Sequence, residues 1–194
     1  MAGRSGPPAA QPDADMTIRD AAPDDFPALL ALNAASVHFL SPLDEALLQH
    51  LHAHAAYHRV VQVQGHVAAF LLALREGAQY ASPNYRWFAQ RYPAFLYIDR
   101  VVVDECVRGQ GLGIQLYDDI VAFAASTRAA RLTCEFDLQP PNPVSAKFHQ
   151  RYAFREVGRQ WLGAGKKQVS LQALDIEVRT ADSGMIACIQ GEQA

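Results

Sequence analysis

The stretch VVVDECVRGQGLGIQLYDDI, Val101 to Ile120, constrains this chain more than any other. Val101, Val102 and Val103 end a β-branched run, and from Leu112 onward apolar residues recur at helical spacing. Between them stand Arg108, Gly109, Gln110, Gly111, Leu112 and Gly113, with glycine at every second position. Glycine costs a helix interior roughly 1 kcal/mol relative to alanine. Three of them at a strand-to-helix turn therefore mark a place where something comes close to the backbone. The first N–H groups of a helix have no internal partner and carry the positive end of its dipole, which suits a phosphate. Gly111 and Gly113 have no Cβ to block it, and Arg108 can add charge-assisted hydrogen bonds. The helix is expected from Gln110 to about Thr127, burying Leu112, Leu116, Ile120 and Phe123.

Two nucleotide readings fail on residues. A Rossmann fingerprint needs G-x-G-x-x-G after a first strand, and this is G-x-G-x-G in mid-chain; a Walker A loop needs G-K-[ST], and Gly113 is followed by Ile114. The chain has 194 residues, half of them hydrophobic, enough for one domain with a full core. The net charge of −3 gives no basic field for nucleic acid or an anionic membrane. The apolar runs are too short to span a bilayer, and Cys106, Cys134 and Cys188 form no disulfide or metal-type pattern. A cytoplasmic setting is the expectation.

Residues 1–15 are rich in Pro, Gly and Ala and read as a disordered arm. The remaining pattern predicts a strand at Thr17–Arg19, a helix over Pro23–Ser36, and a second helix from Ser41-Pro42 to about Ala55. A hairpin follows at His58–Gln64 and His66–Leu74. Residues 76–94 read as a long aromatic loop. Further strands are expected at Phe95–Val103, Arg131–Asp137, Phe154–Trp161 and Lys167–Ala173, with a helix over Pro143–Tyr152. The tail 174–194 carries no clear pattern. The order β-α-α-β-β-β-α-β-α-β-β is that of an α/β (α+β) domain.

The turn resembles the signature of the GNAT superfamily of acetyl-CoA-dependent N-acetyltransferases, [QR]-x-x-G-x-[GA] after a V-x-V strand, here Arg108-Gly109-Gln110-Gly111-Leu112-Gly113 after Val101-Val102-Val103. Downstream, Asn142, Ser145, Phe148, His149, Ala153 and Phe154 stand where the family often shows N-x-x-A-x-x-[FY]-Y-x-x-x-G-F. His149 takes the place of the usual Tyr, Ala153 of Gly and Ser145 of Ala. The resemblance covers about residues 16–173 and is close to a bacterial branch of the family. It implies a mixed central sheet of about six to seven strands, splayed between the fourth and fifth and flanked by about four helices.

The resemblance also implies a mechanism. The pantetheine arm of acetyl-CoA would lie in the splay against Val101, Val102 and Val103, with its pyrophosphate on Arg108–Gly113, and Asn142, Phe148 and His149 beside it. The acceptor amine would attack the thioester directly, which calls for a base and an acid. Asp99, in Tyr97-Ile98-Asp99-Arg100, matches an acidic position of some members and is the first candidate base; the alternative is a structural ion pair with a nearby arginine. Glu135 is the second, since strand alternation puts Thr133, Glu135 and Asp137 on one face. His149 is the candidate acid by position.

The acceptor site is expected among Val37–Pro42 and Ser82–Phe88, with His38, Tyr85, Arg86 and Trp87 as candidate contacts. His50, His54 and His58 fall at i, i+4 spacing, but the β-like residues from Tyr57 break that stripe, and no metal is expected. The partner expected is a small-molecule amine. The rival functions are a non-catalytic acyl-CoA-binding sensor or partner module, and protein or peptide N-acetylation. Dimers are common for the fold, so a homodimer is a candidate assembly.

Overall fold

The computed structural model describes residues 16–37 and 40–177. Seven strands form one sheet in the order β1-β2-β3-β4-β5-β7-β6. They are β1 (Met16–Asp20), β2 (Tyr57–Val63), β3 (His66–Arg75), β4 (Leu96–Val103), β5 (Arg131–Gln139), β6 (Arg155–Leu162) and β7 (Lys167–Asp175). Every neighbouring pair is antiparallel except β4 and β5. Among the described residues five α-helices cover it: α1 (Phe26–Ala35), α2 (Glu45–His54), α3 (Pro83–Ala89), α4 (Leu112–Ser126) and α5 (Pro143–Arg151). No helix among the described residues is long and apolar enough to cross a membrane.

The helices sort by face. Leu112, Leu116, Tyr117 and Ile120 of α4 pack on Ile98, Leu132 and Cys134, with Phe148 of α5 beside them. Tyr85 and Phe88 of α3 pack on Leu72, Tyr97 and Leu171 of the other face, and Leu29 of α1 and Leu48 of α2 on Phe70 and Val102. Each fully buried Leu or Phe contributes about 1.5–3 kcal/mol. The stripe expected on α4 is present except that Phe123 is half-buried while Tyr117 and Ala124 are buried. The sheet is thus covered on both sides, which is why Thr133 and Cys134, on opposite faces of β5, are both buried.

Several expected boundaries shift. Residues 76–94 contain α3, with Ser82 as its cap and Pro83 in its first turn, rather than a loop throughout. With α3 the helices number five rather than four. The second helix starts at Glu45, because Asp44 Oδ1 accepts the Leu47 N–H at 2.8 Å and outcompetes Ser41-Pro42 as the cap. The first helix opens as a turn of 3-10 helix at Pro23–Asp25. The last strand continues to Asp175, past the expected end at 173. The expected arm, residues 1–15, and the tail from residue 178 lie outside the described residues.

Two local arrangements govern stability. His58 of β2 is buried beside His52 of α2, with Nδ1 to Nδ1 2.9 Å apart, and burial lowers its pKa from 6.5 to about 4. The folded state then binds fewer protons than the unfolded chain between those values, so stability is full above pH 6.5 and declines as pH falls toward 4. Denaturant titrations at pH 7 and pH 5 are expected to differ, with His58 supplying on the order of 2 kcal/mol; His58→Gln should flatten that slope. Elsewhere, a methyl group on Gly158 of β6 would overlap the indole of Trp87 in α3, over which the Arg91 guanidinium lies at 3.9 Å. Gly158→Ala should cost about 1–3 kcal/mol, read as a fall in Tm.

Candidate active site

β4 and β5 pair only at Leu96–Leu132 and Tyr97–Thr133. Beyond Tyr97 they part, while β4 stays bonded to β3 as far as Val103 and β5 to β7 as far as Gln139. The β4 backbone groups on the gap side, among them those of Val101 and Val103, have no ladder partner. A cavity of about 910 Å³ opens at the gap, lined from both faces of the sheet.

A bulge sits where the strands separate. Leu72 of β3 pairs with Arg100 and Ala73 with Ile98, so Asp99 is the extra residue. The bulge brings Arg100 onto the α1–α3 face alongside Asp99. Asp99 Oδ2 accepts from Arg100 Nε at 2.7 Å, and Oδ1 accepts from the Tyr80 hydroxyl at 2.6 Å. Both charged side chains are buried. Arg100 Nη1 reaches Asn33 Oδ1 of α1 at 2.8 Å. The ion pair considered for Asp99 is therefore present, with its next neighbour in sequence, and both carboxylate oxygens are engaged.

Glu135 faces the same side of the gap. Its Oε1 accepts from Asn84 Nδ2 of α3 at 2.7 Å and from the Tyr97 hydroxyl at 3.0 Å. Its Oε2 is buried with no hydrogen-bond partner among the described residues. Burial pushes the carboxyl up to about 8; the Asn84 hydrogen bond pulls against this and the Asp99 charge adds to it. Asn84 Oδ1 also accepts from Gln160 Nε2 of β6 at 3.0 Å, which fixes the amide.

His149 lies on the opposite face, stacked on Phe136 and buried. Its Nδ1 is 2.8 Å from the Ser145 carbonyl oxygen, which can only accept, so Nδ1 carries the hydrogen. Nε2 then accepts from the Tyr117 hydroxyl of α4 at 2.8 Å. Burial lowers the His149 pKa, consistent with a neutral ring. Tyr117 is fully buried and its pKa is raised by burial.

The glycine turn fits a phosphate-bearing cofactor. Gly109 and Gly111 have φ of +85° and +88°, and a Cβ on either would meet nothing within 4 Å. The cradle is open and its conformation is one that glycine adopts without strain. α4 begins at Leu112, so its first N–H groups face that opening. On Gly113 a Cβ would already touch Phe148 and Val103 at 3.7 Å. Arg108 Nε donates to the Val103 carbonyl at 3.3 Å. Asn142 caps α5 by accepting the Ser145 N–H on Oδ1 at 3.1 Å, so its Nδ2 donors remain for a bound arm.

Of the expected cofactor residues, Val101, Val102, Val103, Arg108, Gly109, Gly111, Leu112, Gly113, Asn142, Phe148 and His149 line the cavity, and Gln110 does not. The acceptor side differs from the expectation. Tyr85, Arg86 and Trp87 do not line the cavity. Tyr85 is a core residue whose hydroxyl donates to the Arg75 carbonyl at 2.8 Å, Arg86 is exposed, and Trp87 packs on Gly158. Ser82, Pro83 and Asn84, at the N-terminal end of α3, line the cavity instead, alongside Tyr80. The Ser82-Pro83 start signal could have revealed this. His38 lies outside the described residues; Leu40 and Ser41 from its segment line the cavity. Sequence reasoning missed Tyr80, Arg100, Tyr117 and Lys167. Among the described residues no group of three or more His, Cys, Asp or Glu side chains is placed to hold a metal ion. His50 and His54 stack on α2, while His58 belongs to β2.

The Acetyltransferase (GNAT) family model matches residues 17–154. The chain belongs to the GNAT acetyltransferase family. No curated protein sequence matches it. Similar solved structures include an N-acetyltransferase from Staphylococcus aureus, with 20% identity and a TM-score of 0.63, covering 84% of this chain and 99% of that one. The ribosomal-protein-S18-alanine N-acetyltransferase of Escherichia coli has 15% identity and a TM-score of 0.65, covering 88% and 99%. The yncA protein of Salmonella typhimurium, solved with its cofactor acetyl-CoA, has 18% identity and a TM-score of 0.65, covering 89% and 100%. At such identities the likeness shows the shared fold. A GNAT acetyltransferase is an acetyl-CoA-dependent acyltransferase, and the glycine cradle described above suits that cofactor.

Filling the cradle is the direct test. Gly111→Trp puts an indole into open space at the α4 N-terminus, with backbone strain of about 1–2 kcal/mol. The variant is expected to fold, by circular dichroism, and to bind acetyl-CoA at least about tenfold more weakly by calorimetry.

Proposed function

We propose that this chain is an N-acetyltransferase that moves the acetyl group of acetyl-CoA to a primary amine of a small molecule, by direct attack within a ternary complex. The observation that carries this reading is Glu135: a buried carboxyl with one free oxygen, at the point where β4 and β5 part. Oε2 takes the proton from the amine, while Asn84 and Tyr97 hold Oε1 and stabilise the ionised form. Glu135 is preferred to Asp99 because the Asp99 oxygens already bind Arg100 and Tyr80. Asp99 instead neutralises Arg100 and anchors the wall of the acceptor side.

Acetyl-CoA, when bound, supplies the thioester carbonyl and the leaving sulfur. The proton for that sulfur comes from the Tyr117 hydroxyl on the cofactor face, which turns from His149 Nε2 to the leaving thiolate; once the products leave, Tyr117 regains a proton from solvent and Glu135 loses its own. His149 is the acid expected by position, but its one hydrogen, on Nδ1, is tied to Ser145 and its Nε2 accepts from Tyr117, so the neutral ring has no proton to give and positions the Tyr117 hydroxyl instead. The turn from Arg108 to Gly113 binds the pyrophosphate, and Val101 and the Val103 N–H offer backbone groups without a ladder partner to the pantetheine arm.

A small acceptor is favoured over a peptide by α3. This helix lies over the acceptor side and is tied through Asn84 to both Glu135 and Gln160. The remaining space suits a pantetheine arm plus a small polar molecule.

The test follows thiol release from acetyl-CoA against a panel of amines between pH 6 and 10. Amine-dependent release is expected to rise as pH passes through about 8, because protonated Glu135 cannot accept a proton. Glu135→Gln should remove that limb and lower kcat about 10²- to 10⁴-fold. Two amines of different basicity separate the limbs, since the Glu135 limb stays fixed while an amine's own moves with the substrate. Acetyl-CoA binding without release for any amine would favour the sensor role instead.

A further inference from the structure

The acceptor side holds a polar pair that the acetyl transfer leaves unused. Asp137 stands two residues beyond Glu135 on β5, on the same face, and is 5% exposed. Its Oδ1 accepts from Lys167 Nζ at 2.9 Å, whereas Oδ2 is buried with no hydrogen-bond partner among the described residues. Both residues line the cavity. A buried carboxylate oxygen without a donor is unfavourable, so a ligand that supplies one gains from doing so. Lys167 has three N–H donors, of which Asp137 takes one.

The pair is neutral overall and offers a lone pair and N–H groups side by side. A second ammonium would satisfy Asp137 but be repelled by Lys167. A carboxylate would face the opposite conflict, and a methyl group would leave Oδ2 and the spare N–H groups of Lys167 unsatisfied. A hydroxyl donates to Oδ2 and accepts from Nζ at once. Residues i and i+2 of a strand stand about 6.6 Å apart, so a hydroxyl at Asp137 and an amine at Glu135 are separated by about 6 Å, roughly the reach of a four- or five-carbon chain. Val169, paired with Asp137, and Leu162, paired with Lys167, line the same wall and offer apolar surface to that chain.

We propose that Asp137 and Lys167 form a hydroxyl-recognising subsite, and that the acceptor is an amino alcohol whose amine and hydroxyl groups stand about 6 Å apart. This rests on the amine position proposed above. The probe is 5-aminopentan-1-ol, compared with pentylamine, 1,5-diaminopentane and 2-aminoethanol. Wild type should prefer it over pentylamine by about 10- to 100-fold in kcat/KM. Lys167→Met and Asp137→Ala should each bring that ratio toward one; Lys167 is partly exposed, so its replacement tests the pair even if the Asp137 variant fails to fold. Glu135→Gln should lower both rates and leave the ratio in place.

Equal kcat/KM for the alcohol and the alkylamine, or a preference for the diamine, would overturn the subsite while leaving the acetyltransferase reading intact. If no amine is acetylated, calorimetric binding to the CoA-saturated protein decides. Tighter binding of 5-aminopentan-1-ol than of pentylamine, lost in Lys167→Met, supports the subsite although the enzyme reading has failed. Equal binding overturns it.

Discussion

The short ladder between β4 and β5 governs the rest of the molecule. Two residue pairs hold these strands together, and then each follows its other neighbour. A sheet that opens in its middle leaves backbone N–H and C=O groups that burial alone cannot satisfy. They need water or a ligand with amide groups of its own. The opening also joins the two faces of the sheet, so helices packed on opposite sides contribute to one cavity. Without that parting, Glu135 and His149 would belong to separate layers of an ordinary two-sided sheet.

The two faces carry different chemistry. Beside the gap on the α4–α5 side stand the neutral His149 and Tyr117, set among Phe136, Phe148 and Phe154. On the α1–α3 side the groups are ionic: Asp99 with Arg100, Asp137 with Lys167, and Glu135 without a cation of its own. Two carboxylates have their charge met locally, and the third is left to titrate. Its pKa stands far from the ordinary carboxylate range because burial acts on it with no salt bridge to offset the cost.

Much of this was legible in the chain. The Arg108–Gly113 turn could be read because glycine spacing and helix polarity are local properties. Alternation along β5 placed Thr133, Glu135 and Asp137 together before any coordinates. Apart from α3, the order of elements along the chain held, with boundaries displaced by competing caps such as Asp44 against Ser41. The bulge at Asp99 was not legible, since it exists only in the register between β3 and β4. Nor was the inward face of α3: without its helical phase, the aromatic Tyr85 and Trp87 outweighed Asn84 next to them. Tyr117 fell outside the stripe read on α4, and its hydroxyl became notable only once α5 brought His149 against it.

Asn84 joins a helix to an ionisable group, and thermodynamic reciprocity applies to any such joint. Its Nδ2 donates to Glu135 Oε1, a bond stronger when the carboxyl is charged. Whatever free energy α3 contributes toward ionising Glu135, ionisation returns as tighter seating of α3. The loss of a proton at the centre of the sheet is therefore also a mechanical event at its surface. Amide exchange along α3 is expected to slow as the carboxyl becomes charged, and in the reaction proposed above the helix is firmest in the protonation state that accepts the amine's proton.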